Sequence, residues 1–153
     1  MKKIFLNLFL MVSVVAITAC GGDDDNTDNG GNGNGTSAGT LTVDIDGVTT
    51  TFNTFTANTY SSSGEQATEI TASIDNGVSK IIQFTAYGTG ANAIYFIRYK
   101  EGVNTYDSDS FSANVTEHTA HKLVGTFTGV FKRYSNNNTD VRNLTNGSFS
   151  YTF

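Results

Sequence analysis

The chain has 153 residues, with nine lysines and arginines against fourteen aspartates and glutamates, a formal charge of −5, and neither proline nor tryptophan. An acidic balance without a basic stripe or polybasic cluster excludes nucleic acid and anionic lipid headgroups as electrostatic partners. A single cysteine, Cys20, excludes an internal disulfide, and the length beyond it suffices for one domain with a core of its own.

Lys2 and Lys3 precede an uncharged run from Ile4 to Ala19 that closes on small residues and then Cys20. Positive start, apolar stretch and small-residue cut site are the parts of an export signal in their expected order. The run is too short for a transmembrane helix, which needs roughly 20 apolar residues, and it contains Asn7, Ser13 and Thr18. The small residues alone would also suit a soluble secretory signal; the cysteine at the cut decides against it. Ile17-Thr18-Ala19-Cys20 resembles the lipobox of bacterial lipoproteins. That resemblance implies cleavage of the Ala19-Cys20 bond, a diacylglyceryl group on the Cys20 sulfur and a membrane partner held through that lipid. Residues 1–19 are then a signal peptide, expected as a cleaved signal helix. Stable anchoring takes more than one acyl chain, and in such proteins the cysteine amine is commonly acylated too.

Residues 20–39 follow as a linker: Gly21-Gly22-Asp23-Asp24-Asp25, then a tract almost wholly of Asp, Asn, Gly, Thr and Ser. Nothing in it can build a core, so it reads as disordered and solvated, spanning about 24 Å root-mean-square as a Gly-rich coil. The acids Asp23, Asp24 and Asp25 resemble the export signal of Bacteroidota-type surface lipoproteins, which implies transfer to the outer leaflet of the outer membrane. Gly21 and Gly22 keep acids away from the position beside the cysteine, where aspartate is associated in enteric lipoproteins with inner-membrane retention. The alternatives are plain solvation and calcium binding. An EF-hand loop wants Gly at its sixth place and Glu at its twelfth, and counting from Asp24 those places hold Asn29 and Gly35, so no metal site is assigned.

Residues 40–153 read as strands throughout. Leu41, Val43 and Ile45 alternate with polar residues, and Asp46-Gly47 makes a two-residue hairpin turn. Val48 to Tyr60 continues as one Thr- and Phe-rich strand, and Ser61 to Gln66 is a loop. Ile70, Ala72 and Ile74 mark the next strand, which Asp75-Asn76-Gly77 turns into Ile81 to Tyr87. After Gly88-Thr89-Gly90, the run from Ala93 to Tyr99 is almost continuously apolar, as in a strand covered on both faces. Tyr106, Asp107, Ser108 and Asp109 look like loop, with a short strand from Phe111 to Thr116. Between Lys122 and Tyr134, Gly125, Phe127, Gly129 and Phe131 share one face and Val124, Thr126, Thr128 and Val130 the other; the glycines point to close packing or a bend. Ser135 to Asp140 turns, Val141 to Leu144 forms a strand, and Phe149, Tyr151 and Phe153 follow Asn146-Gly147. The fold class is all-β, an antiparallel β-sandwich or small partly closed β-barrel of about eight to nine strands.

Lys122 to Phe127 and Val141 to Phe149 resemble the closing strands of a family of small bacterial lipoproteins with one all-β domain and no assigned biochemical role. The alternating aromatics at the C-terminus also resemble the last strand of an outer-membrane barrel. That architecture needs strands of about 9 to 11 residues with an apolar outer face, whereas most segments here are shorter and Thr-rich on one side.

Chemistry is sparse. His118, His121 and Glu117 have metal-ligand residue types, but histidines three apart on a strand face opposite ways and zinc wants at least three placed ligands. No nucleophile elbow or Ser-His-Asp setting is present; the scattered carboxylates Glu65, Glu69, Glu101 and Glu117 could pair in space as a glycosidase dyad needs. The expected function is therefore a non-catalytic envelope binding module without a cofactor, displaying a face to a glycan or protein, with Tyr60, Tyr87, Tyr95, Tyr99 and Tyr106 as stacking candidates or core residues. The alternatives are a structural or assembly component acting through a strand edge and an unrecognised hydrolase.

Overall fold

The computed structural model describes residues 38–62, 64–135 and 138–152. Within them lie nine antiparallel strands and a single 3₁₀ turn: β1 Ala38–Ile45, β2 Val48–Phe52, β3 Thr54–Ser62, β4 Glu65–Ile74, β5 Lys80–Tyr87, β6 Ile94–Glu101, β7 Asn104–His118, β8 Lys122–Ser135 and β9 Asn138–Thr152. They form one sheet in the order β2-β1-β9-β8-β7-β6-β5-β4-β3, curled into a half-barrel. The all-β reading holds, and of its two architectures the partly closed barrel is the one adopted.

The curl has a covalent cause. The strand expected from Val48 to Tyr60 is broken at Asn53, and its halves pair with different partners, β2 with β1 and β3 with β4. These halves are the two borders of the sheet. Consecutive Cα atoms are about 3.8 Å apart, so Phe52 and Thr54, one on each border, sit within about 7.6 Å of each other. The sheet must bend until its edges meet there. Phe55 of β3 then packs edge-on against Tyr151 of β9, with ring centroids 4.5 Å apart.

Hairpin turns follow the local chemistry. Asp46 and Gly47 both take positive φ, 50° and 82°, as the tight turn between β1 and β2 requires, and Asp75, Asn76 and Gly77 do the same between β4 and β5. The loop after β3 is shorter than expected, since that strand runs to Ser62 and β4 begins at Glu65.

Three further expectations are corrected. The run through β6 is not covered on both faces: Tyr95 and Phe96 together oppose Thr85, a bulge that turns both rings outward while Ile94, Ile97 and Tyr99 stay buried. The segment around Tyr106 is not a loop but the start of a 15-residue strand. Its polar residues are held across the sheet, Arg98 Nε to Asp107 at 2.8 Å and Lys132 Nζ to Asp109 at 2.8 Å. Asn146-Gly147 does not end a strand either; β9 runs through it as a bulge, with Asn146 at φ 53°.

The faces of β8 are as the alternation indicates, with Phe127 and Phe131 inside and Thr126 and Thr128 outside. The inward glycines make room for rings: a Cβ on Gly125 would lie 2.5 Å from the Phe149 ring, and one on Gly147 2.6 Å from that of Phe127. Strands β7, β8 and β9 reach 15, 14 and 15 residues, longer than the sequence suggested. Their outer face nevertheless carries exposed Ser112, Asn114, Thr126, Thr128 and Ser148 where a transmembrane barrel needs an apolar band of about 25 Å.

Candidate functional site

Cys20, Asp23, Asp24 and Asp25 lie outside the described residues, as do the signal and most of the linker. The possible metal ligands are placed and have other partners. His118 reaches across the curled sheet, its Nδ1 3.1 Å from the Gly88 carbonyl and its Nε2 2.9 Å from the Thr68 hydroxyl. Because a carbonyl only accepts, Nδ1 donates to Gly88. The bond to Thr68, with Gln66 Nε2 donating to the Thr119 carbonyl at 3.2 Å, ties β4 to the end of β7. Glu117 pairs with Lys122 at 2.7 Å. Among the described residues, no group of three or more His, Cys, Asp or Glu converges. Of the four scattered carboxylates, Glu117 is thus bound to one cation and Glu101 to two others, Lys80 at 3.7 Å and Arg142 at 3.3 Å.

Glu101 belongs to an ionic network at one end of the half-barrel. Arg142 is its centre: Nη1 donates to Asp140 at 3.0 Å, Nε to Glu101 at 3.3 Å, and the guanidinium lies 4.9 Å from the centre of the Tyr106 ring. Tyr106 Oη donates to Asp140 at 2.7 Å. That hydrogen bond, helped by Arg142 and Arg133, holds the Asp140 carboxyl below its ordinary range. A depressed carboxyl contributes stability that is present above its unfolded pKa of about 3.9 and is lost as pH falls through the folded value. Chemical unfolding below about pH 4 is therefore expected to show a falling midpoint in the parent and a shallower fall in Asp140→Asn. The carboxylates of this network, Asp140 and Glu101, are paired with its arginines, while Arg133 Nε is buried without a hydrogen-bond partner among the described residues.

The five singled-out tyrosines divide by face. Tyr99 and Tyr106 are fully buried and face each other inside, with ring centroids 5.7 Å apart. They are core residues, and stacking on a ligand is not open to them. Tyr60, Tyr87 and Tyr95 lie outside. Cross-strand register puts Tyr60 of β3 and Tyr87 of β5 on either side of Ala67 of β4. Ala67 is fully buried yet lies apart from the main core, flanked across the register by these two tyrosines. Interaction with the Tyr60 phenol, then burial and the Glu69 charge, push the Tyr87 phenol above its ordinary pKa.

Tyr95 extends this surface, its ring centroid 5.4 Å from that of Tyr87. The bulge sets Phe96 beside it, under the Arg98 guanidinium at 5.3 Å. Tyr60, Tyr95 and Phe96 are 40%, 70% and 42% exposed, so a run of rings crosses the outer face of β3 to β6. Phe96 and Arg98 were missed in the sequence; the only signal for them was a run of apolar residues too long for period-two alternation.

No protein-family model matches the chain, and no curated protein matches it.

Proposed function

We propose that the chain is a lipid-anchored protein of the outer membrane, facing the cell exterior, whose non-catalytic β domain binds an extracellular or envelope partner, glycan or protein. The anchor rests on the sequence around Cys20. The observation that carries the binding role is the outer aromatic surface of Tyr60, Tyr87, Tyr95 and Phe96. Rings with an apolar face and a polar tip are the groups a recognition surface uses, and contiguous exposed apolar surface on a soluble domain marks an interaction site.

The test is a double substitution, Tyr95→Ser with Phe96→Ser, probed on a glycan array and against purified envelope proteins. Binding is expected to weaken by about thirtyfold, the loss of one anchor worth roughly 2 kcal/mol, while stability shifts by no more than about 0.5 kcal/mol as at other surface positions. A variant that binds every partner of the parent equally well contradicts the assignment.

A second reading, assembly through a strand edge, is favoured by one observation. Border strand β3 is nine residues long, pairs with β4 without a register shift, and has the sequence TFTANTYSS, free of charge and proline. Such strands lack the devices that discourage edge pairing. On that reading the double variant assembles as the parent does.

A further inference from the structure

We propose that the domain carries a second binding site, an uncharged trough along the outer face of β7, β8 and β9, and that its ligand is a neutral oligosaccharide. This goes beyond the tyrosine surface and shares no residue with it. One cavity of about 640 Å³ is bordered by Asn114, Thr126 and Ser148. A second of about 340 Å³ continues it toward Val130 and Asn143, the two sharing Ser112, Thr128 and Thr145. The bulge raises one wall, since Thr145 and Asn146 both stand outward and exposed between inward Leu144 and Gly147.

Two properties select the ligand. No charged residue lines either cavity, so nothing is present to pair with an anion or a cation. The side chains also differ in what they are already doing. Thr128 donates to the Leu144 carbonyl, Asn146 to Asp44, and Ser148 bonds with Thr42, which fixes the walls. Ser112, Asn114, Thr126 and Thr145 are exposed, and their side chains hydrogen-bond to no other group among the described residues. Three hydroxyls and a carboxamide thus face the trough with both donors and acceptors to offer, which matches a ligand made of neutral hydroxyls. An extended peptide would need a free backbone edge or side-chain pockets, and β8 has neither edge open, being paired with β7 on one side and β9 on the other.

The experiment is calorimetric titration of the full-length protein in detergent micelles with uncharged glucose, mannose and N-acetylglucosamine hexasaccharides, with a heparin hexasaccharide and an uncharged heptapeptide as comparison probes. At least one neutral hexasaccharide is expected to bind. Thr126→Glu, which places an unpaired carboxylate in the trough, should weaken it by about tenfold or more, and Asn114→Ala by about threefold to tenfold through lost hydrogen bonds. The Tyr95→Ser, Phe96→Ser variant should bind that sugar as the parent does. The proposal is overturned if no neutral sugar binds, if only heparin or the peptide does, or if Thr126→Glu binds like the parent. Loss of sugar binding in the tyrosine variant alone would move the ligand to the aromatic surface and likewise end the case for the trough.

Discussion

Replacing Phe127 with alanine is expected to remove about 3 to 5 kcal/mol of stability, the usual cost of deleting a buried phenylalanine ring. The ring is almost fully buried and belongs to the main core. It lies directly over Gly147, where an added Cβ would be 2.6 Å from it, and its centroid is 6.5 Å from that of Phe149. A companion substitution makes the test specific. Gly147→Ala in the parent should cost about 1 to 3 kcal/mol by overpacking. In the Phe127→Ala background the same change meets a void. Gly147 has no positive φ, so alanine there should be neutral or stabilising by a few tenths of a kcal/mol, through the unfolded chain. Urea unfolding followed by far-ultraviolet circular dichroism measures all three. A Phe127→Ala effect below about 0.5 kcal/mol, the range of surface sites, or a Gly147→Ala cost unchanged between backgrounds, contradicts the packing described.

The parts of this fold legible in the sequence are those in which one residue's chemistry has one outcome. Asp46-Gly47 and Asn76-Gly77 tolerate the positive φ that tight turns need, and both hairpins form. The alternation along β8 fixes its faces, because a phenylalanine among threonines has one favourable side. What was not legible depends on partners distant in sequence. Nothing local to Asn53 says that the chain changes borders there, and Asn146-Gly147 has the same chemistry at a bulge as at a turn. Tyr106 to Asp109 looked like loop because Asp107 and Asp109 appear unpaired until Arg98 and Lys132 are brought opposite them.

The same limit governed the site. Five tyrosines were singled out with equal claim, and their residue type does not separate Tyr99 and Tyr106 inside from Tyr60, Tyr87 and Tyr95 outside. For Tyr95 the bulge in β6 decides, and for Tyr60 and Tyr87 their register across the small Ala67 does. The trough was invisible for a different reason. Ser112, Asn114, Thr126 and Thr145 each look like a solvated outer position, and only the three-strand register and the bulge in β9 place them around one hollow.

The second large effect concerns the anchor. On the proposed lipid anchor, Cys20→Ser is expected to give an unprocessed precursor or a released protein, because a serine hydroxyl cannot form the thioether that such an anchor requires and, in the lipoproteins the motif resembles, cleavage follows lipidation. On the proposed anchor, stable attachment would come from that lipid, since an acidic domain with no polybasic patch gains no electrostatic hold on anionic headgroups. Fractionation of cells expressing each form reads the outcome, and a mutant that is cut and sediments with membranes like the parent contradicts the anchor. Whether the domain works as a display module turns on the side of the membrane it occupies. The most direct measurement is protease added to intact cells, with lysed cells as reference. The linker is expected to be cut and the domain lost from intact cells expressing the parent, and changing Asp23, Asp24 and Asp25 together to Ala is expected to protect it. A parent domain that survives on intact cells and is degraded only after lysis would place it on the periplasmic side and contradict surface display.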